Sequence, residues 1–203
     1  MEVSAEGARL YYGNDDRPHA DRCSNCEHAE SCEVYRSLYD DELLKGLYFD
    51  NEGYDGYLRD SCAFKADTDI YDTMSVSVKY KGGALLTYSL NLYSTREGFT
   101  INIIGEGGRI LLTNTGGGNA DKIHVFPRGK EHYEIDVPKY AGGHNGADER
   151  MLEMLFGGEK DDTLGQCSDS FDGIKSAMIG IAANESIKNG KRVYLTEILD
   201  EMR

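Results

Sequence analysis

The sequence predicts an α+β domain: an open-faced, mostly antiparallel β-sheet with helices packed on one face. Three observations carry that expectation. Met74, Val76, Val78 and Tyr80 alternate with Thr73, Ser75, Ser77 and Lys79, and Ala84, Leu86, Tyr88, Leu90 and Leu92 repeat the alternation. Period-two patterning of this length marks strands with one buried face. Further strand patterns follow as consecutive hairpins, while the strong helical patterns gather near the C-terminus, so helices cover one side of a meander.

In chain order, Glu2–Tyr12 allows a first strand, with Val3, Ala5, Gly7 and Arg9 in alternation, ended by the turn formers Gly13-Asn14-Asp15-Asp16. From Asn14 to about Asp67 the chain is polar and holds three clustered cysteines and a helical candidate near Glu33–Leu44. It is too long for a passive connection, and reads as a functional insertion or a metal-held subdomain. In the first hairpin, a two-residue Gly82-Gly83 turn would pair Lys79 with Leu86 and oppose the two faces. A three-residue Lys81-Gly82-Gly83 loop pairs Tyr80 with Ala84 and Val78 with Leu86, so the apolar sets coincide and a glycine supplies the φ > 0 position.

Phe99, Ile101 and Ile103 form a third patterned strand, turned by Gly105–Gly108 into Ile110 and Leu112. After the glycine run Gly116–Gly118 come strand candidates Lys122–Phe126 and His132–Val137. Helices are expected at Gly146–Phe156 and Asp169–Asn189. In the second, Phe171, Ile174, Met178, Ile181 and Ala182 step at three and four, Ser168 can cap the start, and Gly190 can end it. Arg192–Leu195 reads as a short strand and Thr196-Glu197 as the opening of a last turn. The hairpin's other face (Thr73, Ser75, Ser77, Lys79, Thr87, Ser89, Asn91) is rich in hydroxyls and poor in charge. It is either a wet sheet face or a flat surface that packs on another domain or subunit.

Composition narrows the function classes. The 203 residues carry 22 Lys+Arg against 36 Asp+Glu, a formal charge of −14, with 39% apolar residues and 24 glycines. No basic cluster suits nucleic acid or an anionic membrane. No apolar run approaches the ~20 residues that span a bilayer, and the N-terminus lacks the features of a signal peptide. An odd count of five cysteines, three of them bunched, argues against a secreted disulfide scaffold and for a cytoplasmic setting.

Three constellations bear chemistry. Cys23-Ser-Asn-Cys26 is a knuckle able to give two thiolates to one ion; Cys32 is the natural third ligand and Cys62 the fourth, with His28 and His19 as competitors. The donor types suit structural zinc in a closed tetrahedral site, against free thiols as the plain alternative. Gly142-Gly143-His144-Asn145-Gly146-Ala147-Asp148 precedes a helix: glycines admit a ligand, free N–H groups point forward, and His144 with Asp148 forms an acid–base pair. The plain alternative is a glycine turn with Asp148 favouring the helix dipole. Tyr93-Ser-Thr-Arg96-Glu97 lies where strands meet; Tyr93 and Arg96 are pocket candidates or ordinary hairpin polar residues. Neither G-x-G-x-x-G after a strand nor G-x-x-x-x-G-K-[ST] occurs. Asp15-x-x-x-His19 contains Pro18 and is no catalytic helix.

The order Asp67-Thr-Asp-Ile-Tyr-Asp72, Tyr88-Ser-Leu-Asn-Leu-Tyr93, Ile103-Ile-Gly105-Glu-Gly-Gly108, Gly142-Gly-His144-Asn-Gly-Ala-Asp148 and Ile179-Gly-Ile-Ala-Ala-Asn184 resembles the C-terminal domain of the glucose–fructose oxidoreductase / inositol dehydrogenase / MocA-like (Gfo/Idh/MocA) family. The similarity runs from the first strand to about Leu199, and the cysteine-bearing insertion resembles one present in some members. The resemblance implies a two-domain NAD(P)-dependent oxidoreductase acting on a sugar or cyclitol. Residues 1–203 would be its substrate-binding and oligomerisation domain, with a Cys-rich insertion at about 14–67. An upstream Rossmann domain would bind NAD or NADP and carry the catalytic lysine, so this chain alone would not transfer hydride. His144 and Asp148, and more weakly Tyr93 and Arg96, would face the substrate, and the open sheet would form a homo-oligomer. Rival readings are the matching domain of an NAD-using glycosidase, or a free-standing zinc-stabilised binding module.

Overall fold

The computed structural model describes residues 1–14, 16–116, 122–157 and 162–196. Its strands are β1 (Glu2–Ala8), β2 (Thr73–Lys79), β3 (Leu85–Asn91), β4 (Phe99–Gly105), β5 (Gly108–Asn114), β6 (Lys122–Pro127), β7 (Tyr133–Asp136) and β8 (Val193–Tyr194). Its α-helices are α1 (Glu42–Leu47), α2 (Glu52–Asp55), α3 (Ala147–Phe156) and α4 (Ser170–Asn189). The expected α+β class holds: strands are antiparallel throughout and the long helices come last. They form two four-stranded sheets, however, in the orders β3-β2-β1-β8 and β4-β5-β6-β7. The chain divides into two compact units, one of residues 1–93 and 176–203, the other of residues 94–175.

In the first unit, Val3 faces Val78 and Val78 faces Leu86, while Tyr80 N–H donates to Ala84 and Gly83 N–H to Tyr80. The three-residue loop is therefore the one adopted, with Gly83 at φ 89°. Only this register places the apolar residues of β1, β2 and β3 on one face, against α4. There Val3, Ala5, Val78, Met178, Ala182, Ala183 and Leu195 form the buried core. Small residues at 182 and 183 let the helix lie close to the sheet. The buried Ser186 completes the join. Its hydroxyl accepts from Ala5 N–H at 2.9 Å and donates to the Lys191 carbonyl at 2.7 Å. Extending the β1–β8 register puts Lys191 opposite Ala5, so the hydroxyl is inserted into the ladder where β8 has ended.

The buried stripe of α4 differs from the expected one. Met178, Ala182 and Ser186 step by four into the core, whereas Phe171, Ile174 and Ile181 are 69%, 52% and 45% exposed. The N-cap is Asp169 rather than Ser168: its carboxylate takes Asp172 N–H at 2.9 Å, while the Asp172 carboxylate takes Asp169 N–H at 3.4 Å. In the insertion, the helix lies at Glu42–Leu47 and not at 33–44, because Asp41 caps it by accepting from Leu43 and Leu44 N–H at 2.9 and 3.0 Å.

The second unit holds the true meander. Ile103, Ile110, Val125 and Tyr133 lie in one cross-strand row and Ile101, Leu112, Ile123 and Ile135 in the next. Both rows share a face, yet Ile101, Ile103, Ile110, Tyr133 and Ile135 are each more than two-fifths exposed. The hydroxyls of Ser75, Ser77, Thr87 and Ser89 line an exposed face of the first sheet. Gly117 and Gly118 of the glycine run, Asp15, and the end from Glu197 lie outside the described residues. No helix among the described residues is long and apolar enough to cross a membrane.

Candidate functional site

The Gly142–Asp148 segment folds as a 3-10 turn over Gly143–Gly146 running into α3. His144 and Asn145 sit at φ 47° and 59°, the only non-glycine residues at positive φ among the described residues. Such a conformation costs about 1–2 kcal/mol per residue for an L side chain, and it persists only where the surroundings hold it. Asn145 does the holding: its amide oxygen accepts from Tyr140 N–H at 2.7 Å and its amide nitrogen donates to the Pro138 carbonyl at 3.1 Å. Gly143 has no Cβ where the Asp148 carboxylate passes, which brings that side chain back over the turn.

The turn thereby joins His144 to Asp148, with Nδ1 2.9 Å from both carboxylate oxygens. The carboxylate fixes the proton on Nδ1 and leaves Nε2 as the outward base or acceptor, the arrangement of an oriented acid–base group. The imidazole is 84% exposed and Asp148 48%, so this pair is presented to solvent. Asp148 is the second residue of α3, where its charge also favours the helix dipole. Both sequence readings of Asp148 thus describe one side chain.

The weaker candidates fare differently. Tyr93 belongs to the first unit, stacked on Tyr11 with ring centroids 4.9 Å apart. Tyr11 also touches Tyr12 and Phe64, and Arg17 lies 4.4 Å over the Tyr11 ring while pairing with Glu33 at 2.7 Å. Tyr93 is therefore a packing residue there. Hydrogen bonds from Tyr11 and then Arg17 hold the Glu33 carboxyl below its ordinary range, and the Glu33 bond raises the Tyr11 phenol. Arg96 is in the second unit, on an open groove with Glu97, Phe99 and Asn114.

Sequence reasoning missed what anchors the aromatic cluster. Asp72 is fully buried, and its carboxylate accepts from the backbone of Leu10, Tyr11 and Tyr12 at 2.7–3.0 Å and from the Thr73 hydroxyl at 3.0 Å. Burial pushes its carboxyl up, but these bonds outweigh it and leave the group below its ordinary range. Its partners lie some sixty positions away, so no local pattern reveals them.

The cysteines behave as a group. Cys23, Cys26, Cys32 and Cys62 are unbonded, half-buried and line one cavity of about 420 Å³ together with His19, Asp60 and Phe64. Cys23 N–H donates to the Asp60 carbonyl, Cys62 N–H to the Asp21 carbonyl, and Arg22 bridges Ser61, so the knuckle is laced to the segment around Cys62. Arg22 binds Asp60 at 2.7 Å and Glu52 at 2.9 Å. Burial, then the neighbouring Cys62, Asp60, Cys32 and Cys26, pushes the Cys23 thiol up. His28 lines a separate cavity with Arg17 and Glu33, and Cys167 is exposed. Among the described residues, no three Cys, His, Asp or Glu side chains converge as a ready metal site. The thiols surround a space without closing on a point.

The fold and this loop define a mixed α/β domain that presents an acid–base pair to solvent. Residues 30–195 match the family described as "Oxidoreductase family, C-terminal alpha/beta domain", the Gfo/Idh/MocA grouping, and the chain belongs to that family. It is similar to a Bacillus subtilis (strain 168) protein named "Putative oxidoreductase YteT", 34% identical over 180 residues that cover 78% of this chain. The chain spans about two-fifths of that relative's length, 42%.

Proposed function

We propose that this chain is the substrate-side domain of an NAD(P)-dependent oxidoreductase acting on a sugar or cyclitol, completed by a Rossmann domain upstream. The observation that carries the reading is the His144–Asp148 pair at 2.9 Å on a turn held in a costly conformation, since strain of this kind collects at functional sites. The family membership supports the reaction class.

The residues of this chain do not fit a dinucleotide: no glycine fingerprint links a strand to a helix. A nicotinamide held elsewhere would supply the hydride chemistry. This chain's part is binding and proton handling. His144 Nε2 meets a substrate hydroxyl as hydrogen-bond acceptor or proton acceptor, and Asp148 keeps the ring oriented. A polyol suits the site, because each hydroxyl both donates and accepts while carrying no charge to be compensated. The exposed apolar face of the β4–β7 sheet supports assembly with a second copy, since contiguous apolar surface of that kind is uncommon on a monomer.

In the full-length protein, His144→Ala is expected to lower kcat about a hundredfold or more, in the range of lost acid–base assistance, with an unchanged thermal transition. Unchanged kinetics would remove His144 from the account.

A further inference from the structure

We propose that Cys23, Cys26, Cys32 and Cys62 bind one zinc ion, and that the ion clips the two ends of the insertion to each other. This stands apart from the oxidoreductase reading and does not depend on it.

The first argument is the missing core. Between Asn14 and Asp67, Asp60 and Phe64 are the only buried side chains among the described residues. Tyr39, Leu43, Leu47, Tyr54 and Leu58 are all exposed by two-fifths or more. A segment of this size with one buried apolar side chain gains too little from burial to offset its conformational entropy, and chains in that position rely on a metal or disulfides.

The second argument is placement. The two 3-10 turns at Cys23–Asn25 and Ala29–Ser31 deliver Cys26 and Cys32, while the Arg22–Ser61 bridge brings Cys23 beside Cys62. All four line the same cavity, whereas His28 lines another and His19, on this cavity, has its Nδ1 2.7 Å from the Arg17 carbonyl, which favours Cys62 as fourth ligand. An all-sulfur donor set selects zinc over magnesium or calcium.

As placed, the thiols ring the cavity, and the ion supplies their convergence to about 2.3 Å each. Binding balances as Zn²⁺ plus four thiols giving a tetrathiolate complex of charge −2 plus four protons. The link between Cys32 and Cys62 then becomes a closed loop containing α1 and α2, the geometry in which a clip restrains the unfolded chain strongly.

The test uses the full-length protein purified anaerobically. Elemental analysis should return about one zinc per chain, and native thiol titration should find one fast-reacting thiol, the exposed Cys167. Exchange with Co²⁺ should produce the visible bands and thiolate charge transfer of a tetrahedral sulfur site, with no variant needed. A chelator should speed proteolysis selectively between residues 33 and 59. Cys26→Ser and Cys62→Ser should each lose the ion. A metal content near zero together with fast reaction of all five thiols overturns the proposal. So does mass-spectrometric detection of disulfides among the four, or an iron–sulfur absorbance.

Discussion

Replacing Asp72 tests whether one buried carboxylate ties the end of β1 to the start of β2. Its two oxygens accept from three backbone N–H groups and one hydroxyl. A hydrogen bond to a charged group contributes roughly 1.5–3 kcal/mol net, and a buried donor left unpaired costs about 1–3 kcal/mol. The four bonds share one acceptor and are not additive, so Asp72→Ala should cost about 3–5 kcal/mol, the range for stripping a buried charge network. Asp72→Asn keeps one acceptor oxygen but turns an amide N–H₂ toward backbone donors, and should cost somewhat less. Urea unfolding followed by circular dichroism reads this as a lower midpoint at an unchanged slope. The pH dependence has a definite sign. A carboxyl with lowered folded-state pKa contributes fully above its unfolded value near ~3.9 and loses that contribution as pH falls through the folded value. Wild-type protein should therefore lose stability in acid below about pH 4, and Asp72→Asn should lose less. A cost below about 1 kcal/mol for Asp72→Ala, no more than an ordinary surface change, would refute the reasoning.

Other outcomes follow from the same geometry. Met178→Ala leaves a hole beneath Val3 and Val78 and should cost about 2–4 kcal/mol in the same urea experiment. Asn145→Ala removes both bonds that hold the strained turn; it should lower the full-length enzyme's kcat in the same direction as His144→Ala. It should also destabilise by about 1–2 kcal/mol, and kinetics equal to wild type would show that the turn conformation is irrelevant to turnover.

How far the sequence reaches depends on the range of the interaction. The β2–β3 hairpin was legible to the residue, because alternation and a single glycine at positive φ leave one register that pairs Val78 with Leu86 on one face. The His144–Asp148 pair was legible as two acid–base residues close in sequence, while the positive-φ turn that brings them together was not. Within residues 14–67 the helix position was not legible: Asp41, whose cap fixes where α1 begins, lies inside the expected helix Glu33–Leu44. Tyr93 stacks on Tyr11, a partner at the far end of the unit in sequence that no local pattern discloses. Nor could strand patterns show that the first hairpin and the later meander belong to separate sheets, as period two marks a face without naming its neighbour. The exposed apolar rows of the second sheet went unnoticed for the same reason: alternation looks identical whether the face is covered or bare.

The central claim is that these 203 residues supply the substrate side of a redox site whose nicotinamide is held elsewhere. Titrating NADH into the isolated chain and into the full-length protein, following nicotinamide fluorescence, tests it most directly. The account predicts saturable binding by the full-length protein and none by the isolated chain; saturable binding of NADH to the isolated chain would contradict it.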